Sequence, residues 1–184
     1  MKFSAVSTDI VKSLANIISV VPSKSTLPIL ENVLFELKGN DLTLTASDLE
    51  ISMSLGMPVS GMEDGRIAIP AKKLNEILRA LPETDVTLDA DLSNSKIVLK
   101  TDAAEYKMSG ENASNFPEIE SVSEEFSLEL ESELLRSIIG ITSFAVSTDD
   151  LRPSMKGVLF QWKEKEFRAV ATDGHRLVRV IHSG

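Results

Sequence analysis

The sequence predicts an α+β protein made of repeated β-α-β-β-β units, with two helices packed on antiparallel sheets in each full domain. Three observations lead there. First, the chain lines up with itself. Leu27-Pro28-Ile29-Leu30-Glu31-Asn32-Val33-Leu34-Phe35 falls on Arg152-Pro153-Ser154-Met155-Lys156-Gly157-Val158-Leu159-Phe160, 125 positions downstream, and Ser47-Asp48 falls on Thr172-Asp173 at the same offset. Upstream, Ile10-Val11 falls on Leu134-Leu135 and Phe3-Ser4 on Phe126-Ser127, the offset drifting by one or two residues as short loop insertions would cause. A repeat of this kind constrains the fold before any element is placed. Second, each copy passes from a short strand to apolar residues at three- and four-residue spacing and back to two-residue alternation. Third, the same order of elements recurs between Arg66 and Met108, so residues 1–117 hold two units.

Taken in order, Phe3 to Val6 reads as a strand. Ile10, Val11, Leu14, Ile17, Ile18 and Val21 mark one face of a helix, with Ser7, Thr8 and Asp9 as cap candidates and Pro22 as its stop. Val33 to Leu37 is a strand, Gly39-Asn40-Asp41 turns the chain, and Leu42, Leu44 and Ala46 alternate with polar residues as a half-buried strand does. Ile51, Met53 and Leu55 give the last strand of the unit. The second unit follows: a strand at Arg66 to Ile69, a helical stripe of Leu74, Ile77, Leu78 and Leu81 closed by Pro82, and strands at Val86–Leu88, Ile97–Leu99 and Tyr106–Met108. Residues 118–125 read as a linker, acidic at Glu118, Glu120, Glu124 and Glu125 and without apolar periodicity. From Phe126 the pattern restarts with a strand to Leu130 and a helix over Leu134, Leu135, Ile138, Ile141 or Thr142, and Ala145. Strands follow at Val158–Phe160, Phe167–Val170 and Leu177–Ile181. Residues 126–184 therefore supply one unit where the first domain has two. Half a domain leaves an open sheet edge and an uncovered core face, so a longer native chain is expected.

Bulk composition narrows the function. The chain has 184 residues, 42% of them hydrophobic, enough for one large domain or one and a half ordinary ones. It has no cysteine, which excludes a disulfide framework, a thiolate zinc site and a cysteine nucleophile. Met1-Lys2-Phe3-Ser4 runs straight into patterned sequence, so no signal peptide is expected and a cytoplasmic, non-membrane protein is. No cofactor is expected. The net charge of -9 argues against simple nucleic-acid binding, which depends on release of counterions by Lys and Arg. Any contact with DNA must place its positive charge locally.

Thr26-Leu27-Pro28-Ile29-Leu30, Ser47-Asp48-Leu49-Glu50, Pro70-Ala71-Lys72-Lys73, Asn115-Phe116-Pro117 and above all Ala171-Thr172-Asp173-Gly174-His175-Arg176-Leu177 carry a family resemblance. With these segments the chain resembles, over its whole length, the bacterial DNA sliding clamps, the beta subunits of DNA polymerase III. The resemblance implies the DNA-clamp fold with three similar domains per chain, a third lying beyond this sequence, and two chains closed head to tail around duplex DNA. It implies a processivity factor of replication without catalytic residues of its own. Its partners would be duplex DNA, encircled without regard to sequence, and the replicative polymerase, the clamp loader and repair proteins, each bound through a short peptide.

Basic residues lie opposite the apolar helix stripes. Helix 1 carries Lys12, Ser13, Asn16 and Ser19 there, the second helix Lys72, Glu76 and Arg79, and the third Arg136, Ser137, Gly140 and Ser143. Spacing alone fits an ordinary solvated face as well as one touching phosphates through water. The resemblance selects the second reading and implies DNA-facing roles for Lys12, Lys24, Lys72, Arg79, Arg136 and Arg152. A closed ring holds DNA by topology, so an acidic exterior with a mildly basic hole is compatible with the net charge. Pro153-Ser154 and the acids Asp149-Asp150 depart from the pattern of the best-known clamps, and no stacking on exposed bases is expected there.

Asp173 and His175 could suggest an acid–base pair or metal ligands. Only His182 is added to them, and no nucleophile elbow is present. A structural turn with Gly174 at positive φ is the plain reading. The resemblance adds one wall of a peptide pocket at Met155, Thr172, Gly174, His175, Arg176 and Leu177, where apolar anchors dock beside a few polar groups. Met155 suits a flexible pocket lining or a core position equally. The resemblance also implies a ring interface at Lys73, Ile77, Tyr106 and Met108; Ile77 suits core as well, and Leu81 suits it better. A homodimer is expected for the full ring, and a monomer or weak self-association for this chain alone.

Overall fold

The computed structural model describes residues 1–119, 129–163 and 166–183. The chain divides into two compact units, Met1–Ser121 and Val122–Gly184. The strand expected at Phe126–Leu130 and the linker expected over 118–125 lie mostly outside the described residues.

Unit 1 runs β1 (Lys2–Val6), α1 (Ser7–Ile17), β2 (Asn32–Lys38), β3 (Asp41–Ser47), β4 (Ser52–Pro58), β5 (Ser60–Glu63), β6 (Gly65–Pro70), α2 (Ala71–Ala80), β7 (Asp85–Asp91), β8 (Lys96–Lys100), β9 (Glu105–Ser109) and β10 (Glu111–Asn112). Its two antiparallel sheets are ordered β5-β1-β7-β8-β9 and β10-β6-β2-β3-β4. Exchanging strands five apart in the chain (β1 with β6, β2 with β7, β3 with β8, β4 with β9, β5 with β10) maps one sheet onto the other. Each β-α-β-β-β repeat of unit 1 therefore lends its first strand to the sheet of the other: β1 pairs with β7, and β6 pairs with β2. The two β-α-β-β-β repeats of unit 1 are mutually incomplete, and a single core shared between them results.

That core follows from alternation. Val33, Phe35 and Leu37 of β2 and Leu42, Leu44 and Ala46 of β3 all point inward and are essentially fully buried, together with Ile10, Leu14 and Ile17 of α1 and Leu74 and Leu78 of α2. The Phe3 and Phe35 rings, one from each sheet, stack with centroids 6.5 Å apart. Each of these Val, Leu, Ile and Phe side chains contributes about 1.5–3 kcal/mol when fully buried.

Several details differ from the sequence reading. Helix α1 ends at Ile17; Ile18 to Val21 continue as turns in which Val20 N–H donates to the Ile17 carbonyl and Val21 N–H to that of Ile18. Val20 rather than Val21 is buried as a result. Ser13, expected on the solvated side, is buried at 8% exposure. None of the expected hydroxyl or carboxyl groups caps α1. Ser7 instead donates its hydroxyl to the Pro82 carbonyl and accepts from Thr84 N–H, tying the helix start to the α2–β7 loop. Strands β5 and β10 were not expected, since four and two residues without apolar alternation leave no periodic signal. In β5 a side chain at Gly61 would collide with the Gly39 carbonyl, its Cβ falling 1.7 Å from that oxygen.

Unit 2 contains α3 (Ser132–Thr142), β11 (Leu159–Lys163), β12 (Glu166–Thr172) and β13 (Leu177–Ser183), the strands forming one antiparallel sheet in that order. Ile138 of α3 packs on Phe167 and Ala169 of β12. Of the two alternatives for the helix stripe, Thr142 faces inward. It is fully buried with its hydroxyl donating to the Ile138 carbonyl at 2.8 Å, while Ile141 is exposed. Among the described residues no helix is long and apolar enough to cross a membrane.

Candidate functional site

The turn between β12 and β13 is built by two side chains. Thr172 Oγ1 donates to the Arg176 carbonyl at 2.7 Å and accepts from Gly174 N–H at 3.1 Å. Asp173 Oδ1 accepts from the backbone N–H groups of His175 and Arg176, both at 2.9 Å, and Asp173 Oδ2 accepts from Arg176 Nε at 2.8 Å. The carboxylate is thus occupied by the turn itself. The N–H of Arg176, then that of His175, favour its charged form and lower its pKa from 3.8 to about 2. Gly174 adopts φ +89°, a left-handed conformation that glycine reaches without a Cβ penalty.

This turn presents Gly174, His175, Arg176 and Leu177 to solvent, Leu177 at 67% exposure. A second loop comes beside it. Ser147 N–H donates to the Met155 carbonyl, Arg152 N–H to that of Asp149, and Met155 N–H to that of Arg152. Arg152 pairs with Asp149 at 3.2 Å. Together the two segments line a cleft of about 280 Å³ that includes Ser147, Asp149, Arg152, Asp173, His175 and Arg176. Arg152 Nη1 lies 3.0 Å from where a Cβ on Gly174 would stand, so the glycine also gives the guanidinium its room. Met155 is half-buried at the loop base, between the two positions foreseen for it, and Thr172 is half-buried in the turn. The sequence reading missed Phe144. Its ring is 58% exposed and lies under the Arg176 guanidinium, 5.5 Å from centroid to Cζ, and a contact 32 residues apart leaves no local signal.

Unit 1 repeats the backbone hydrogen bonding of the turn. Ser47 Oγ accepts from Leu49 N–H, Asp48 Oδ1 accepts from the N–H groups of Glu50 and Ile51, and Leu49 takes φ +79°.

The basic positions are exposed on the helix faces. Lys12 and Arg79 line one cleft between α1 and α2, with Lys12 also pairing with Asp9 at 3.3 Å. Lys72 donates to the Ser23 carbonyl at 3.0 Å, next to exposed Lys24. Arg136 is exposed on α3 and Arg152 on the second loop.

At the far end of one sheet, β9 is an edge strand. Lys73, Lys96, Lys107 and Met108 line a cleft of about 480 Å³ beside it. Lys96 and Lys107 were not singled out from the sequence. Met108 is buried at 5% exposure and belongs to the core as much as to the cleft, while Ile77, Leu81 and Tyr106 are partly buried against the same core. Among the described residues no group of three or more His, Cys, Asp or Glu side chains is arranged to hold a metal ion.

Comparison with known proteins places this geometry in a family. A model described as DNA polymerase III beta subunit, N-terminal domain, matches residues 1–120, and one described as its central domain matches residues 129–182. A beta sliding clamp of Pseudomonas putida is 35% identical over 181 residues, covering 96% of this chain and 48% of the relative; that of Escherichia coli K12 is 31% identical over 178 residues with the same coverage. Crystal structures of the DNA polymerase III beta subunits of Pseudomonas aeruginosa and Streptococcus pyogenes superpose with a TM-score of 0.94 at 30% and 29% identity, each covering 100% of this chain and 50% of theirs. The chain spans about half the length of the curated relatives it matches. The α+β clamp fold expected from the sequence is the fold of these structures, and the chain belongs to the DNA polymerase III beta subunit family.

Proposed function

We propose that this chain serves as part of a DNA sliding clamp, a ring that encircles duplex DNA and tethers the replicative polymerase as a processivity factor, with no chemistry of its own. The observation that carries the reading is the family match in both units together with the Asp173-organised turn. That turn offers Gly174, His175, Arg176 and Leu177 as one exposed wall beside Arg152 and Met155. An apolar anchor from a clamp-binding peptide would seat on Leu177 and Met155, and the Arg176 guanidinium would take its polar or acidic flank. Polymerase, clamp loader and repair proteins would share this wall.

The DNA-facing reading assigns Lys12 and Arg79 in their shared cleft, with Lys24, Lys72, Arg136 and Arg152, to loose contact with phosphates. Ring closure is assigned to the free edge of β9 with Lys73, Ile77, Tyr106 and Met108, where an unpaired strand and three lysines invite a partner strand with acidic neighbours. Such a protein works in the cytoplasm, where the chromosome is.

The test is topological. The full-length protein that carries this chain is loaded onto a nicked circular plasmid with a clamp loader, the plasmid is cut, and retention is followed by gel filtration. Loss on cutting is expected. Equal retention on circular and linear DNA would replace the ring with an adaptor that binds peptides without encircling DNA.

A further inference from the structure

We propose that Phe144 is a positioning residue of the peptide wall, holding the Arg176 guanidinium so that its two Nη groups receive a carboxylate beside the peptide's apolar anchor. The proposal rests on the peptide-wall reading above and names the residue that sets its preference for acidic peptides. Arg176 is fixed at three atoms. Its N–H donates to Asp173 Oδ1 at 2.9 Å, its carbonyl accepts from Thr172 Oγ1 at 2.7 Å, and its Nε donates to Asp173 Oδ2 at 2.8 Å. The Phe144 ring supplies the remaining support, with Arg176 Cζ 5.5 Å over its centroid.

The fold aims this ring. Phe144 sits in the 3-10 turn Ser143–Ala145 that follows α3. Thr142 and Ala145 on either side of it are fully buried, and Val146 N–H donates to the Ser143 carbonyl at 3.2 Å. The backbone is thereby anchored on unit 2 while the ring stays mostly exposed, outside the Ile138, Phe167 and Ala169 core. The chemistry of the support matters. An arginine has five N–H donors in a rigid fork, and Nε commits one of them to Asp173. A second carboxylate in the place of Phe144 would occupy the Nη donors. A ring face attracts the cation without taking them, and among the described residues neither Nη1 nor Nη2 of Arg176 has a hydrogen-bond partner. Two free Nη groups in one plane match the two oxygens of a carboxylate. The acids of the cleft, Asp149 and Asp173, are each paired with an arginine, at 3.2 and 2.8 Å, so an incoming carboxylate meets neutralised neighbours.

The full-length protein that carries this chain is titrated with two labelled clamp-binding peptides that differ only beside the apolar anchor, one with a carboxylate and one with the matching amide. Wild type is expected to prefer the carboxylate. Phe144→Leu, which keeps apolar bulk but loses the ring face, should weaken the carboxylate peptide about threefold and leave the amide peptide unchanged. Phe144→Tyr, which keeps the ring, should keep the preference. In an Arg176→Ala background Phe144→Leu should be silent, because its effect runs through that guanidinium. A purely structural role for Phe144 would weaken both peptides alike, and that result overturns the proposal. So does a loss that persists in the Arg176→Ala background. Binding of neither peptide by wild type would remove the peptide wall, and the proposal with it. Equal wild-type affinities, or a preference untouched by Phe144→Leu, would remove the proposal alone.

Discussion

Gly174 and Leu49 occupy the same point of two copies of one turn, at φ +89° and +79°. One copy has the residue that conformation favours and the other a residue that pays about 1–2 kcal/mol for it. Gly174→Leu should therefore destabilise unit 2 by about that amount, and it would also displace the Arg152 guanidinium, since the new Cβ stands 3.0 Å from Nη1. Leu49→Gly should leave unit 1 within about 0.5 kcal/mol of wild type or stabilise it, relief of strain offsetting the added freedom of the unfolded chain. Urea unfolding followed by Trp162 for unit 2 and by Tyr106, the only tyrosine, for unit 1 separates the two effects. A marked loss in Leu49→Gly would contradict the strain argument.

Asp173 gives a pH prediction with a definite sign. Its folded pKa is lowered to about 2 by the N–H groups of Arg176 and His175. A depressed carboxylate contributes stability that is present above the unfolded pKa, here 3.8, and is lost as pH falls through about 2. The turn should thus hold its arrangement unchanged from neutral pH down to about 4 and loosen only below that. Carbon-detected NMR of the Asp173 carboxyl is expected to show a midpoint near 2. A midpoint at the ordinary aspartate value would mean that the turn is not closed in solution.

The sequence disclosed the repeated elements because unit 1 buries one face of every strand and helix, which enforces clean periodicity at residues such as Phe35, Leu42, Leu44 and Leu74. What it hid has physical causes. The exchange of β1 and β6 between sheets is a long-range pairing that no local pattern encodes. β5 and β10 are too short to alternate. Ser13 on α1 is small enough to be buried where its polarity suggested solvent. In the candidate site the Thr172–Leu177 turn was legible from its motif, whereas the contact of Phe144 with Arg176 and the lysines at 96 and 107 depend on the tertiary fold.

The repeat also sets up a matched pair of core truncations. Phe35→Ala removes a ring that is fully buried and stacked on Phe3, and should cost unit 1 about 3–5 kcal/mol. Phe160→Ala, at the equivalent position, removes a ring that is nearly half exposed and should cost unit 2 about 1–2 kcal/mol. Equal losses would mean that Phe160 is covered within the single chain.

Leu177 offers a test of the peptide wall that stability does not confound. Its side chain is 67% exposed and lies outside the Ile138, Phe167 and Ala169 core of unit 2, so Leu177→Ala removes little folded-state packing. If an apolar anchor docks on it, truncation forfeits about 1–2 kcal/mol of contact, a loss of roughly tenfold in affinity. Fluorescence anisotropy with a labelled clamp-binding peptide reads that loss, and the Tyr106-monitored unfolding of unit 1 should stay unchanged. Unaltered affinity would remove Leu177 from the wall and leave Arg152, His175 and Arg176 as a polar cleft in need of a different ligand.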